Sequence, residues 1–190
     1  MPEEKKKEVK DIKRKKVIVK ERAFWSMVLS AIEVYNLETL GLLLGLRGDD
    51  IFVVEYAIPF QTAEKAKTWV SPNERRASRI KKIVDLIPVD VIGDYHSHTE
   101  LGENRAIARP SGDDIADMEK GNVYMILALN ECNKSLEWRN NVDGSISGTL
   151  GQYHIRISAA EYIERGGLHY KKVDIFCPSA VGLRGFSLRD

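Results

Sequence analysis

Apolar residues in the first third of the chain follow two different spacings, which predict a helix and a group of strands. Residues 17–19 form a short β-branched run that predicts a first strand. Four apolar side chains then recur at intervals of three and four and predict a helix: Trp25, Val28, Ile32 and Tyr35. Residues 40–46 and 51–58 are nearly continuous apolar runs joined by a hairpin-like turn at 47–50, which indicates strands covered on both faces.

The rest of the chain adds further helices and strands. Ser71, Pro72 and Glu74 have the spacing of a capping box and predict a second helix that Pro88 ends. After it the pattern predicts a strand at 89–95, a loop at 99–110, a helix at 111–121 and strands at 123–129, 135–139 and 151–157. Because helices and strands mix without strict βαβ alternation, we expect an α/β fold of the α+β kind, with helices packed against one mixed sheet.

The composition indicates one globular domain. Of the 190 residues, 43% are hydrophobic, which is enough to form a sizeable core. Residues 1–15 are charged and almost free of apolar side chains, so we predict a disordered tail before a domain over residues 16–190. Cys132 and Cys177 stand far apart and form no CxxC pair, which predicts no disulfide and a reducing cytoplasm.

Charge and hydropathy exclude two classes of partner. Lys and Arg number 29 against 28 Asp and Glu, so the chain lacks the basic excess of a nucleic-acid-binding protein. No stretch approaches the ~20 apolar residues that cross a bilayer, so we predict no membrane segment. The sequence leaves open whether the chain forms a homo-oligomer.

His96 and His98 stand one residue apart at the end of a predicted strand. Because successive strand side chains point to opposite faces, the two imidazoles share one face, about 7 Å apart along the chain. Two imidazoles in this arrangement can converge on a single metal ion such as zinc. An HxH pair alone is a weak signal, so the interpretation requires ligands from elsewhere in the chain.

Ser111 and Asp114 begin the helix predicted after the loop. Their spacing is that of a helical capping box, which is the commoner interpretation of Ser-x-x-Asp. A metal site is compatible with it, because a carboxylate in the first turn is held rigidly and favoured by the helix dipole. His96, His98 and Asp114 would then fill three tetrahedral positions and leave the fourth for water, as in catalytic zinc sites.

Together these motifs resemble the signatures of the JAMM, or MPN-plus, metalloprotease family. His96-Ser97-His98 with Ser111-x-x-Asp114 is similar to its H-S-H…S-x-x-D motif, and residues 37–45, LETLGLLLG, resemble its E-x-x-G-x-L-x-G strand. The resemblance covers about residues 16–140, and the order of predicted elements is also the family's. It implies a single domain with a three-layer arrangement similar to that of cytidine deaminase, in which helices flank a central mixed sheet.

The resemblance also implies roles for individual residues. His96, His98 and Asp114 would bind one Zn²⁺ per chain. Glu38 would be the general base that shuttles a proton to the leaving amine, and Ser111 would donate a hydrogen bond to the tetrahedral intermediate. The implied activity is hydrolysis of an isopeptide or peptide bond at the C terminus of a ubiquitin-like modifier or its protein conjugate. The alternatives are C-terminal trimming of a sulfur-carrier protein and a non-catalytic MPN scaffold, although scaffolds of that kind tend to have lost ligands.

The chain departs from the family pattern after the second histidine. Thr99 stands where the family usually has proline, and the loop before Ser111 is several residues longer than usual. Arg105 and Arg109 in that loop are interpreted as solvated side chains, with contact to substrate as the alternative.

Two acidic residues are decoys for the metal site. Asp94 shares the strand face of His96, and we interpret it as a neighbour of the ligands or a solvent-facing residue. Glu55 is a weaker candidate for the base than Glu38, because it lies outside the motif. His154 has no partner at metal-ligand spacing and is interpreted as an ordinary polar residue.

Overall fold

The computed structural model describes residues 14–61, 63–65, 70–165 and 168–184. The predicted disordered tail therefore lies outside the described residues up to residue 13. At its end, Arg14 Nη1 lies 3.2 Å from Asp174 Oδ1, and Lys15 Nζ lies 2.9 Å from Glu161 Oε2. These ion pairs tie the start of the described chain to strands near its end.

Strands dominate the described part of the chain. In chain order the elements are β1 (Lys16–Val19), α1 (Glu21–Glu33), β2 (Leu40–Arg47), β3 (Ile51–Pro59), β4 (Glu64–Lys65), β5 (Val70–Ser71), α2 (Glu74–Val84), β6 (Asp90–His98), α3 (Gly112–Ala116), β7 (Val123–Glu131), β8 (Arg139–Asn140), β9 (Ile146–Leu150), β10 (Tyr153–Arg165) and β11 (Leu168–Phe176).

Nine of the strands form one mixed sheet in the order β11-β1-β3-β2-β6-β7-β10-β9-β8. The first half of β10 pairs with β9 and its second half pairs with β11, both antiparallel. Because β11 also pairs in parallel with β1, the sheet closes on itself. Strands from the beginning and from the end of the described residues therefore meet inside one hydrogen-bonded sheet.

The core is shared between α1 and the inner faces of the strands. One face of α1 buries five side chains completely or almost completely: Ala23, Phe24, Met27, Val28 and Ala31. The Phe24 ring packs edge-on against buried Trp138, with centroids 5.1 Å apart. Burying a large apolar side chain stabilises a fold by about 1.5–3 kcal/mol, so this contact joins the N-terminal helix firmly to the C-terminal half.

The observed architecture confirms the predicted mixed sheet in an α+β domain and differs from the predicted arrangement of helices. The sheet is closed through β10 and β11, and α1 is the helix whose face enters the main core. The predicted three-layer arrangement, with helices flanking a central mixed sheet, is therefore not the arrangement of the described residues. Within these ranges, no helix combines the length and apolar character required to cross a membrane.

Several predicted boundaries also move. The second helix begins at Glu74, and the predicted cap Ser71 instead belongs to β5. The third helix ends at Ala116, well before Gly121. The strand predicted at 135–139 is reduced to β8, and β9 and β11 were not predicted.

Gly93 fixes the position of β6 within the sheet. Its φ of 154° belongs to a region that favours glycine, and a Cβ there would overlap the carbonyl oxygen of Val123 on β7. The β2–β6 register also shifts at this level, between Leu43 and Leu44. A glycine at this point therefore lets β6 run close to β7.

Candidate metal centre

The candidate site lies at the C-terminal end of β6, beside the segment that leads into β2. These two strands are antiparallel, with Leu40 opposite His96. The pairing continues beyond β2, because Ser97 N–H donates to the Thr39 carbonyl at 3.0 Å and Thr39 N–H donates to Ser97 Oγ at 2.9 Å. Glu38 is therefore held next to the histidine end of β6.

Three potential ligands converge at this end. The Nε2 atoms of His96 and His98 lie 3.1 Å apart. Asp114 places Oδ1 at 3.3 Å from His96 Nε2 and Oδ2 at 3.6 Å from His98 Nε2. The structure thus brings together the two histidines and the carboxylate that the sequence proposed as metal ligands, with one donor atom of each within 4.8 Å of the others.

The start of α3 holds the Asp114 carboxylate in place. Ser111 is the N-cap, and its Oγ accepts a hydrogen bond from Asp114 N–H at 3.1 Å. In return Asp114 Oδ2 accepts from Ser111 N–H at 2.6 Å. Asp114 is therefore both a member of the capping box and a potential metal ligand. The hydrogen bonds of the cap hold its carboxylate with the oxygens directed toward the imidazoles.

Asp114 and His98 each stabilise the charged form of the other. Burial alone would raise the pKa of Asp114, but its hydrogen bonds with His96 and His98 and with the Ser111 N–H hold it well below its usual range. Burial alone would lower the pKa of His98, yet Asp114, the Ile107 carbonyl and the Glu38 charge raise it. Asp114 is thus an ionised carboxylate, and the His98 ring beside it binds a proton more firmly than a free imidazole does.

Glu38 lies outside the three-residue cluster but within its electrostatic reach. Its side chain is 7% exposed. Burial raises its pKa above the ordinary value, the charges of His98 and His96 act in the opposite direction, and that of Asp114 raises it further. A carboxyl group with a raised pKa beside a metal site has the property that a general base and acid requires.

The outer nitrogen of His98 is fixed by the long loop after β6. His98 Nδ1 lies 2.9 Å from the Ile107 carbonyl oxygen. The loop is itself anchored on β7, because Asn130 Oδ1 accepts from Ala106 N–H at 2.8 Å and Asn130 Nδ2 donates to the Ala106 carbonyl at 3.1 Å. The extra loop residues therefore help to orient a ligand.

Zinc fits this donor set. Two atoms that bind a tetrahedral zinc ion at 2.0 Å lie about 3.3 Å from each other. The two Nε2 atoms are 3.1 Å apart, and they lie 3.3 and 3.6 Å from different oxygens of Asp114, so that one donor atom of each residue is within 4.8 Å of the others. Two imidazoles and one carboxylate are also a ligand set that zinc accepts at catalytic centres. The carbonyl bound to His98 Nδ1 matches the hydrogen bond that zinc-binding histidines commonly make.

The remaining predicted site residues occupy the surroundings. Ser111 Oγ serves as an acceptor in the cap and keeps its own O–H free to donate. Burial raises the pKa of Asp94 to about 6, partly offset by the His96 charge, and Asp94 is not among the three converging ligands. Glu55 is on β3, separated from β6 by β2. Thr99, at the position of the usual proline, is buried, and its hydroxyl lacks a partner among the described residues.

Sequence reasoning missed Asn130 and Ile107. Asn130 is a buried polar residue at the end of the otherwise apolar run 123–129. That position is a detectable signal, because a buried amide needs hydrogen-bond partners. Ile107 contributes its backbone carbonyl. Because every residue has one, the type of the residue gives no signal of this role.

Comparison with known proteins finds similarity in sequence and in fold. The family model described as prokaryotic homologs of the JAB domain matches residues 20–141. No curated protein matches the chain. Among solved structures, the chain is similar to the solution structure of protein DSY2949 from Desulfitobacterium hafniense, with a TM-score of 0.61 and 18% identity over 85% of this chain and 92% of that one. At this identity the likeness shows the fold alone.

Proposed function

The chain belongs to the family of prokaryotic homologs of the JAB domain, and from this premise we propose that it is a zinc-dependent hydrolase acting at the C terminus of a ubiquitin-like protein. The substrate bond is an isopeptide or peptide bond that follows the last residue of that modifier. The proposed setting is the cytoplasm, consistent with the two free cysteines, Cys132 and Cys177.

One observation carries the proposal: the spacing of the donor atoms of His96, His98 and Asp114. The two Nε2 atoms are 3.1 Å apart, close to the ligand spacing around one tetrahedral ion, and one donor atom of each of the three residues lies within 4.8 Å of the others. Three protein ligands leave a fourth position for water or substrate, which distinguishes a catalytic from a structural zinc site. The intact ligand set favours catalysis over the scaffold alternative.

Bound zinc would supply Lewis acidity, polarising a carbonyl and lowering the pKa of water. The chain's own residues divide the remaining tasks. Glu38, buried beside the cluster, accepts a proton from the attacking water and delivers it to the departing amine. Ser111, fixed at the start of α3, donates its O–H to the carbonyl oxygen as negative charge develops there. The Ile107 carbonyl keeps His98 Nε2 directed at the centre.

The proposal is tested by measuring metal content and turnover on the same preparation. We expect one zinc per chain, hydrolysis of a modifier–lysine conjugate or of a C-terminally extended modifier, and loss of turnover after chelation that added zinc restores. A chain that holds zinc without hydrolysing either substrate would favour the scaffold, and one that takes up no zinc would contradict the metal centre itself.

A further inference from the structure

A cavity of about 510 Å³ lies between the loop after β6 and a floor made by three neighbouring strands. On this floor His154 of β10 pairs with Asn130 of β7. Further along β10, Ala160 pairs with Lys172 of β11. Because alternate residues of a strand point to one face, Arg156 of β10 shares the floor with His154. None of the three metal ligands is among the described residues that line the cavity, so it is a separate site.

Two cations of the floor are held in place by the turn between β8 and β9. Asp143 Oδ2, in this turn, lies 3.0 Å from Arg156 Nη2 and 3.1 Å from Lys172 Nζ. Arg156 Nε also donates to Ser145 Oγ at 3.1 Å. Burial alone would raise the pKa of Asp143, but hydrogen bonds from Ser145 and Lys172 and the charge of Arg156 hold it well below its usual range. One ionised carboxylate therefore fixes two cations without neutralising both.

Three further cations line the same cavity. Arg105 and Arg109 belong to the loop after β6, and Lys134 follows β7. Within the described ranges, none of the three forms an ion pair. The lining thus has five cations against one acid, although the whole chain is nearly neutral. A concave surface with this excess concentrates anions.

His154 shows that the cations of the loop and of the floor act on a common space. Its pKa is lowered first by burial and then by the charges of Arg105, Arg156 and Arg139. Arg105 comes from the loop and Arg156 from the floor, so both act on a ring that itself lines the cavity. A bound anion would therefore meet positive charge from more than one element.

The rest of the lining suits an organic molecule. The volume lies within the range of pockets for small ligands. Ser158 and Tyr170 contribute residue types whose hydroxyl groups can donate to an anion. Ile107 and Leu136 line the cavity and are exposed, so an apolar ligand body that covers them removes apolar surface from water.

We propose that this cavity binds a small organic molecule that carries a phosphate monoester group. The phosphate lies against the cations of the floor, Arg156 and Lys172, and takes further hydrogen bonds from Arg105 and Arg109 of the loop. The ligand's organic part covers the exposed apolar side chains of the lining. This binding site goes beyond the proposed hydrolytic function and does not depend on it.

The number of cations favours a phosphate over a carboxylate. A phosphate monoester carries a charge of about −1.5 to −2 and three strong acceptor oxygens, so it can accept from donors on several elements at once. A carboxylate has two oxygens in one plane, and a single guanidinium group can bind both. Cations that come from the loop, β10 and β11 therefore match the larger and more highly charged group.

The test titrates the full chain with phenyl phosphate at about pH 8, where the monoester is a dianion, while the NMR signals of the His154 ring are followed. We expect saturable shifts with a Kd below about 1 mM at about 0.15 M salt. Benzoate has the same ring and a single charge, and it should bind at least about tenfold more weakly. Benzoate that binds as tightly would overturn the choice of phosphate, and the absence of saturable shifts with phenyl phosphate would overturn the site.

Variants separate the cavity from the general charge of the protein. Arg105→Gln/Arg109→Gln should weaken phenyl phosphate binding at least about tenfold, the size of one charge-assisted hydrogen bond. Arg22→Gln/Arg75→Gln removes the same charge from two exposed helical positions and should leave the affinity unchanged. An equal loss in both double variants would contradict a specific site.

A last variant separates the cavity from the metal centre, since a zinc ion could also capture a phosphate. His96→Ala alters a proposed zinc ligand and leaves the lining of the cavity intact. It should bind phenyl phosphate as the wild type does. Loss of the His154 shifts in His96→Ala would place the anion at the metal and overturn the cavity site.

Discussion

The Nδ1 atom of His98 lies 2.9 Å from the carbonyl oxygen of Ile107, in the loop that follows the same strand. A carbonyl only accepts hydrogen bonds, so Nδ1 must carry the proton and the neutral ring presents its lone pair at Nε2. That atom is the one directed at His96 and Asp114. The loop therefore selects the tautomer that a metal ion requires.

The first prediction concerns the anchor of that loop. Asn130→Ala removes both hydrogen bonds to Ala106, so Ile107 loses its fixed position and His98 its orientation. Loss of such outer contacts typically weakens metal binding about 10–100-fold. Zinc affinity, measured by competition with a chelator of known strength, should fall by this amount.

Asn141→Ala is the matched control for this experiment. Its amide donates to Ser145 Oγ and Ser147 Oγ, and within the described ranges it forms no hydrogen bond with the loop. Zinc affinity should be unchanged in this variant. Equal affinity in wild type and Asn130→Ala would show that the loop does not position the ligand.

The second prediction separates metal binding from catalysis. Glu38→Gln keeps the size of the side chain but cannot accept a proton, so zinc content should stay near one per chain while turnover falls by about 10²–10⁴. His96→Ala should instead lose the zinc, because only two of the three protein ligands remain. His169→Ala is the control at an exposed histidine of β11, and it should retain both the zinc and the turnover. Substantial turnover by Glu38→Gln would exclude Glu38 as the general base.

Much of the sheet was predictable from the sequence because β2, β3, β6 and β7 are local apolar runs. The strands that close the sheet were not predictable in the same way. β11 contains Lys171 and Lys172, which interrupt its apolar pattern, and its parallel partner β1 lies at the opposite end of the chain. Pairing between such distant segments leaves no local signal, so the closure of the sheet could not be predicted from the sequence.

The candidate site, too, was only partly predictable from the sequence. Side-chain ligands were predictable, because strand alternation places His96 and His98 on one face and the Ser-x-x-Asp spacing fixes Asp114. The cavity of about 510 Å³ beside the loop after β6 was not, since it combines loop residues with Arg156 and Lys172 from two later strands. Arg105 and Arg109 border this cavity and are exposed, as expected of solvated side chains.

The third prediction concerns the cap of α3. Ser111→Ala removes the hydroxyl that accepts from Asp114 N–H and should lower the free energy of unfolding by about 1 kcal/mol. Because the same cap holds the carboxylate, zinc affinity should fall with it. Ser111→Thr keeps a hydroxyl and should restore most of both. Denaturant unfolding of the metal-free protein and zinc titration measure the two effects, and unchanged stability in Ser111→Ala would contradict the role of the cap.

The fourth prediction is a pH dependence of zinc binding. The folded protein raises the pKa of His98 above its ordinary 6.5. Below that raised pKa zinc must displace a proton from the ring, so apparent affinity should fall by up to about tenfold per pH unit as the pH decreases. Above it the affinity should level off. Zinc titrations at several pH values check this, and an affinity that is constant down to pH ~5.5 would contradict it.

The fifth prediction follows from the cations around His154. Burial and the charges of Arg105, Arg156 and Arg139 lower its pKa below the ordinary value, so the folded protein resists protonation of this ring. The contribution of His154 to stability is therefore present above pH ~6.5 and is lost as the pH falls through its lowered folded pKa. Arg105→Gln removes the largest of these charge effects and should raise the pKa of His154, measured by NMR titration of its ring protons. Arg22→Gln, at an exposed arginine on α1, should leave that pKa unchanged. An unchanged titration in Arg105→Gln would contradict the effect of the Arg105 charge on His154.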